Sequence, residues 1–275
     1  DKAISEEEKA QGKVLLCCTT AKSDLKINVP GFNQNALPVR TLPARIENIE
    51  IKHDVALLKL ALPKAPPFAF YAGQYIDLLL PGNISRSYSI ANSPDQEGVL
   101  ELHIRKRENG VCSEMIFGAE PKIKEKGIVR VKGPLGTFTL QKDSDKPIIL
   151  LATGTGYAPI RSILLDLIHQ NRERQVHFYW GARQQEDLYA LEEVEALIGR
   201  LKNAKFSPVL SKSDSDWKGE NGYVQNVAAQ NYPDLSQYEV YACGSPEMTE
   251  SAHGLLTQKC ALPEDAFFCD AFSPA

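Results

Sequence analysis

Residues 147–164 read Pro147-Ile148-Ile149-Leu150-Leu151-Ala152-Thr153-Gly154-Thr155-Gly156-Tyr157-Ala158-Pro159-Ile160-Arg161-Ser162-Ile163-Leu164. The apolar run Ile148–Ala152 describes a strand buried on both faces, as a parallel sheet requires. A Gly-Thr-Gly turn follows at once. Then Ile160, Ile163, Leu164, Leu167 and Ile168 recur at helical spacing, with Pro159 tolerated in the first turn. Strand, glycine turn and helix together aim a helix N-terminus at an anion. Gly154 and Gly156 admit close backbone approach, and free N–H groups with the helix dipole suit a pyrophosphate. An ordinary βα corner would carry the same Gly-x-Gly, which alone is a weak signal. Pro159 stands where a strict Gly-x-Gly-x-x-Gly has its third glycine. The next strand, Val176–Trp180, runs into Gly181-Ala182-Arg183 and lacks the acidic residue that grips a ribose. The stretch predicts a nucleotide site, but not a conventional Rossmann dehydrogenase.

The 275 residues suffice for two domains, each with its own core. Composition is that of an ordinary globular chain, 43% hydrophobic and 24% charged. A net charge of −4 offers no global field for nucleic acid or anionic lipid. Short basic runs, Arg105-Lys106-Arg107 and Lys122 to Lys126, read as solvated faces. No run approaches the roughly 20 apolar residues of a membrane span. The six cysteines (Cys17, Cys18, Cys112, Cys243, Cys260 and Cys269) form no Cys-x-x-Cys pair, which predicts a reducing, cytoplasmic setting without a disulfide framework.

Residues 1–28 are too short for a domain, and 29–40, rich in Pro, Asn and Gln, read as a linker. From 41 to 142 short strands alternate with turn residues: Ala44–Glu50, Val55–Leu60, Tyr75–Leu80, Arg86–Ala91, Val99–Ile104 and Ile128–Val131. These predict a small antiparallel barrel, interrupted by one short helix at Cys112–Phe117. From 143 to 275 the candidate strands are Ile148–Thr153, Val176–Trp180, Lys205–Leu210, Glu239–Cys243 and Phe267–Phe272. Helical segments such as Asp187–Leu201 separate most of them, predicting a doubly wound parallel sheet.

Further motifs follow in order. Arg86-Ser87-Tyr88-Ser89 lies on a barrel strand whose alternation puts Arg86 and Tyr88 on one face; alone it is compatible with an exposed strand of ordinary polar content. His103-Ile104-Arg105 leads through Asn109-Gly110, which suits positive φ, to Val111-Cys112-Ser113, where Ser113 is placed to cap a helix. Gly133-Pro134-Leu135-Gly136 ends the barrel region. Tyr241-Ala242-Cys243-Gly244-Ser245-Pro246-Glu247-Met248 closes a late strand, and Phe267-Phe268-Cys269-Asp270-Ala271-Phe272 comes last.

In this order and spacing the pieces resemble the ferredoxin–NADP reductase family of flavoproteins, over about Arg40 to Phe272. They look most like bacterial reductases that join an FAD domain, a nicotinamide domain and a plant-type 2Fe–2S ferredoxin module. The resemblance implies an FAD-binding antiparallel barrel over 41–142 and an NAD(P)-binding doubly wound sheet over 143–275. It makes 1–28 the remnant of a ferredoxin module cut from a longer protein. Cys17, in a Leu-x-Cys setting, fits the last cluster ligand of such a module; the three earlier cysteines are missing, and a buried free thiol is the alternative.

Residue by residue, the resemblance implies that Arg86 neutralises the FAD pyrophosphate, Tyr88 stacks on the isoalloxazine, and Ser89 bonds near its N5, with Ser87 beside them. His103, Ile104 and Arg105 would line FAD, and Gly110, Val111, Cys112 and Ser113 would cradle its phosphate. Phe272 would cover the opposite flavin face. Gly154, Thr155, Gly156 and Pro159 match the nicotinamide nucleotide's pyrophosphate turn. Gly181, Arg183 and Ser211 match positions around its adenosine ribose. Cys243, Gly244, Pro246 and Met248 match the nicotinamide pocket, with Cys243 and Asp270 nearest the transfer; Cys243 as a buried structural thiol is the alternative.

The implied activity is hydride transfer from NADH or NADPH, with NADH favoured, to FAD. Single electrons would then pass to a 2Fe–2S centre that serves an oxygenase or dehydrase partner. A free-flavin or quinone reductase without an iron–sulfur partner is one alternative, and a nucleotide-binding regulatory subunit is another.

Overall fold

The structure is a computed structural model that describes residues 37–213 and 215–272, together with residue 10 and residues 20–24. The chain divides into a unit of residues 1–36 and one of residues 37–275, and the second is the subject below. Cys17 lies outside the described residues, and so does most of the span read as a ferredoxin remnant.

The barrel half is built from β1 (Arg40–Lys52), β2 (Val55–Ala61), β3 (Tyr75–Leu80), β4 (Ile84–Ser89), β5 (Val99–Arg105) and β6 (Ile128–Leu135), with helix α1 (Val111–Phe117) between the last two strands. All pairings are antiparallel, in the order β4-β3-β6-β1-β2-β5. An Ile90–Leu102 bridge brings the chain beyond β4 back to β5. Alternation explains the core: Leu58 and Leu60, Ile76 and Leu78, and Leu100, Leu102 and Ile104 all point inward. β1 is longer than the expected Ala44–Glu50 because it serves two neighbours. Its first residues pair with β6, and its later ones pair with β2 through a register shift between Ile46 and Asn48.

The sheet half holds β7 (Ile148–Thr153), α2 (Tyr157–His169), β8 (Val176–Ala182), α3 (Leu191–Ile198), β9 (Ala204–Leu210), β10 (Glu220–Asn221), α4 (Val224–Asn231), β11 (Glu239–Gly244), α5 (Pro246–Lys259) and β12 (Phe267–Ala271). Its strands run parallel in the order β10-β9-β8-β7-β11-β12. The unbroken apolar run of β7 now has its reason. Ile148, Leu150 and Ala152 enter one core cluster, and Ile149 and Leu151 enter the cluster on the other face. The expected helix Asp187–Leu201 is shorter. A 3-10 turn covers Gln185–Asp187, and Leu188, Tyr189 and Ala190 then pack into the core before α3 begins. The last strand stops at Ala271, one residue before Phe272.

Specific contacts join the halves. Arg161 on α2 donates to the Ala91 carbonyl at 2.8 Å and reaches Glu101 at 3.3 Å, while its Nε donates to Glu193 at 2.8 Å. The Ser162 hydroxyl donates to the Asn92 carbonyl at 2.6 Å. His103 Nδ1 and the Tyr189 hydroxyl lie 2.8 Å apart. Val55, Ala72 and Phe138, all from before β7, belong to the same apolar cluster as Leu150, Tyr157 and Trp180. At the far end of the sheet, Arg174 Nη2 donates to Glu239 at 2.9 Å, with both side chains almost fully buried. The Tyr241 hydroxyl donates to the same carboxylate oxygen and accepts from the Gln141 N–H. No helix among the described residues is long and apolar enough to cross a membrane.

Candidate active site

Ligands of an open parallel sheet bind beyond the carboxyl ends of its strands, where the strand order reverses. Here that point lies between β7 and β11, beneath the barrel strands β4 and β5. Two cavities meet there. One, of about 520 Å³, is lined by Tyr75, residues 85–89, His103, Arg105, residues 107–113, Thr155, Ala158 and residues 270–272. The other, of about 1140 Å³, is lined from the sheet half by Thr153, Gly154, Thr155, residues 181–184, Ser211, Lys212, residues 222–226, Gly244, Ser245 and Met248. Arg105, Arg107, Thr155 and Phe272 line both, so the two cavities adjoin.

The barrel cavity gathers Arg86, Ser87, Tyr88 and Ser89. Among the described residues Arg86 Nη1 donates only to the neighbouring Ser85 carbonyl, at 2.8 Å, and the Ser87 hydroxyl donates to Asp77 at 2.7 Å. Tyr88 packs on the barrel core. Burial and the Cys112 thiol beside it push its phenol well up, and burial also raises that thiol. Asp270, opposite Ser89, is raised to about 6 by burial, with the Ser89 hydroxyl pulling the other way. His103 is fully enclosed; burial lowers its imidazole, and Glu101, 3.4 Å from Nε2, opposes this.

Several expected roles need correction. Ser113 does not cap α1: the N-cap is Gly110, no side chain caps the turn, and the Ser113 hydroxyl instead accepts the Arg107 N–H at 2.8 Å. The positive φ expected of Asn109-Gly110 is present at Asn109 (56°), while Gly110 sits at −76°. Ile104 does not line the cavity, because strand alternation between His103 and Arg105 sends it into the barrel core. The uncapped first turn of α1 nonetheless borders the cavity beside Arg86, a donor set that fits the pyrophosphate of FAD.

In the sheet half, Gly154 (φ +54°) and Thr155 line the cavity, whereas Gly156 and Pro159 do not. Gly156 is a packing glycine: a Cβ there would stand 2.2 Å from the Cys243 carbonyl. Pro159 is buried within the first turn of α2. Cys243 has no exposed surface, its thiol is pushed well up by burial, and it belongs to the core cluster that contains Tyr157; this is the buried-thiol alternative. Gly244 (φ +147°) is forced by Thr153, whose Oγ1 a Cβ would meet at 2.1 Å. Its carbonyl accepts the Phe272 N–H at 2.7 Å and so draws the last described residue to the mouth. Met248 lines the cavity; Pro246 opens α5 beside it and does not. Gly181, Arg183 and Ser211 also line it.

Other residues carried no motif. Trp180 donates its indole N–H to the Gly154 carbonyl at 2.9 Å and stacks on Tyr157 at 4.6 Å, thereby holding the glycine turn. Tyr75 lines the barrel cavity, and its ring would meet any Cβ at Gly136. Tyr223, 62% exposed after Gly222 (φ +119°), offers a free aromatic face at the sheet cavity. Its signal was the Gly-Tyr-Val after a polar loop. Asp54 and Asp187 clamp Arg105 from opposite halves.

Comparison with known proteins agrees with this architecture. The family described as oxidoreductase FAD-binding domain matches residues 44–140, and that described as oxidoreductase NAD-binding domain matches residues 150–254. The CDP-6-deoxy-L-threo-D-glycero-4-hexulose-3-dehydrase reductase of Yersinia pestis is 41% identical over 274 residues, 99% of this chain and 81% of that protein. The propane 2-monooxygenase reductase component of Gordonia sp. (strain TY-5) is 34% identical over 284 residues, 99% of this chain and 81% of that one. Among solved structures, the Amycolatopsis cytochrome P450 reductase GcoB matches with a TM-score of 0.78 at 30% identity, over 86% of this chain and 71% of that chain. With both domain types matched in order and relatives aligned along nearly its whole length, the chain belongs to the ferredoxin–NADP reductase family and is an NAD(P)H-dependent FAD oxidoreductase.

Proposed function

We propose that the chain takes hydride from NADH, in preference to NADPH, onto FAD held in the barrel cavity, and delivers electrons through a 2Fe–2S centre to an oxygenase or dehydrase partner. The adjacency of the two cavities at Thr155 and Phe272 carries this reading, because a hydride donor and its acceptor must meet face to face. Bound FAD supplies the conversion of a two-electron hydride into single electrons. The protein's part is placement. Arg86 and the first turn of α1 hold the FAD phosphates, Tyr88 offers its ring to the isoalloxazine, and Ser89 offers a hydroxyl at the reacting edge. Gly154 and Thr155 receive the nucleotide's pyrophosphate, with Arg183 and Ser211 toward its ribose and Tyr223 beneath its adenine. Asp270 presents a carboxyl to the hydride path from the side of β12, and Phe272 screens it from water.

The dehydrase and monooxygenase reductases among the relatives support a partner enzyme of one of these kinds. The four described cysteines, Cys112, Cys243, Cys260 and Cys269, are all free, which suits a reducing cytoplasmic setting. NADH is favoured because Lys212 and Arg183, the cations beside Ser211, are both exposed side chains, so burial holds neither in place for a 2′-phosphate. Anaerobic addition of NADH to the purified protein should bleach a yellow flavin spectrum. A colourless protein that also refuses added FAD would sink the proposal. Parallel steady-state kinetics with NADPH should give the lower kcat/KM.

A further inference from the structure

Arg105 ends β5, and its guanidinium is divided three ways. Nε donates to Asp54 Oδ2 at 2.7 Å, and Nη2 donates to Asp187 Oδ1 at 3.0 Å. Nη1 stands over the glycine turn, 2.8 Å from where a Cβ on Gly154 would be. Asp54 comes from the β1–β2 turn of the barrel half; Asp187 comes from the 3-10 turn ahead of α3 in the sheet half. One cation at the junction of the cavities is therefore matched by two carboxylates, one from each half. The side chains of Arg105, Asp54 and Asp187 are 25%, 32% and 19% exposed, so solvent screens these charges only in part. His53 is an ionisable neighbour, with Nδ1 3.5 Å from Asp54 and 3.9 Å from Asp187, and Lys106 and Arg107 line the same cavity.

The arrangement does two opposed things. It fixes the guanidinium plane with one nitrogen turned to the glycine turn, sparing a bound nucleotide the cost of ordering a long side chain. It also sets two carboxylates, on Nε and Nη2, against the single charge of the arginine. A diphosphate arriving at Gly154 must share the guanidinium with two anions already on it, and like charges at this range repel.

We infer that Asp54 and Asp187 set the affinity of the nucleotide site: they are built-in competitors for Arg105 that place it and at the same time weaken its hold on phosphate. The inference rests on reading the sheet-half cavity as a dinucleotide site. A nucleotide held this loosely leaves readily after each turnover, and binding energy not spent on the ground state does not slow the cycle.

The test uses the FAD-loaded full chain and titration calorimetry with two redox-silent probes, ADP-ribose and adenosine. Asp54→Asn and Asp187→Asn each keep an acceptor oxygen for Arg105 and remove one negative charge. Each should tighten ADP-ribose binding about two- to fivefold, the span of a partly exposed ion pair, and leave adenosine binding unchanged. The gain should shrink in about 0.5 M salt and vanish when Arg105→Gln is added. Unchanged or weaker ADP-ribose binding in both amide variants overturns the inference, as does a gain that survives Arg105→Gln. If the unaltered protein binds neither probe, the nucleotide reading of the cavity falls first. If it binds both and the amide variants match it, only the competitor role falls.

Discussion

Gly156 faces the backbone carbonyl of Cys243 so closely that a methyl group there would stand 2.2 Å from the oxygen. The obstacle is backbone, which no rotamer change can remove. The glycine turn therefore keeps its height above the sheet only because α2 rests directly on β11.

Gly156→Ala should push the start of α2 off β11 at a cost of about 1–3 kcal/mol, the usual range for overpacking. Since Gly154 and Thr155 ride on that helix start, ADP-ribose affinity should fall about tenfold or more, a shift of roughly 1.4 kcal/mol. FAD content, measured as the flavin-to-protein absorbance ratio, should stay at the level of the unaltered protein. Equal ADP-ribose affinity in the two proteins would show that the contact does not set the turn.

Asp270 gives a pH signature. Burial raises its carboxyl to about 6, so it gains a proton as pH falls through that value. A nicotinamide ring becomes cationic as it gives up hydride, and a nearby carboxylate favours that charge. Flavin reduction followed by stopped flow should slow as pH drops below about 6. Asp270→Asn should react about tenfold more slowly, with that inflexion gone. Stability moves the opposite way. Between the ordinary carboxylate range and about 6 the folded chain binds a proton that the unfolded chain has released. The group therefore loses stability for the fold as pH rises through the window and has no further effect above it.

The Arg174–Glu239 pair should behave as a buried ion pair whose two charges need each other. Arg174 is 5% and Glu239 4% exposed, and Arg174 Nη1 has no hydrogen-bond partner among the described residues. Glu239→Leu alone should cost about 3–5 kcal/mol in urea unfolding, because it strands a buried guanidinium. Arg174→Met together with Glu239→Leu should recover most of that loss. If the double change were as damaging as the single one, the stranded charge would not be the cause.

The strands were legible wherever a face was buried. β7 read as an unbroken apolar run because its two faces enter two different cores, and β5 read by alternation. The same alternation misled where motif matching took neighbours in the chain as neighbours in space. His103 and Arg105 reach the cavity while Ile104 turns away, and Gly154 lines the site while Gly156 serves the packing beneath it. The start of α3 was misplaced because Leu188 and Tyr189 are apolar for burial in an extended segment, which helical spacing cannot separate from a helix turn. Asp54, Asp187 and Tyr189 left no trace in the sequence as site residues. Their partners lie 51, 82 and 86 positions away, and only the closing of barrel against sheet brings them together.

Phe138, Ala72 and Val55 precede β7 yet are packed in the cluster that holds Tyr157 and Trp180, the pair beneath the glycine turn. The residues that carry the turn are thus roofed in part by side chains from outside their own half. Either half prepared alone would bare that patch to water and invite aggregation. Grafting the nucleotide-binding portion onto a foreign flavin carrier would succeed only if those three positions travelled with it.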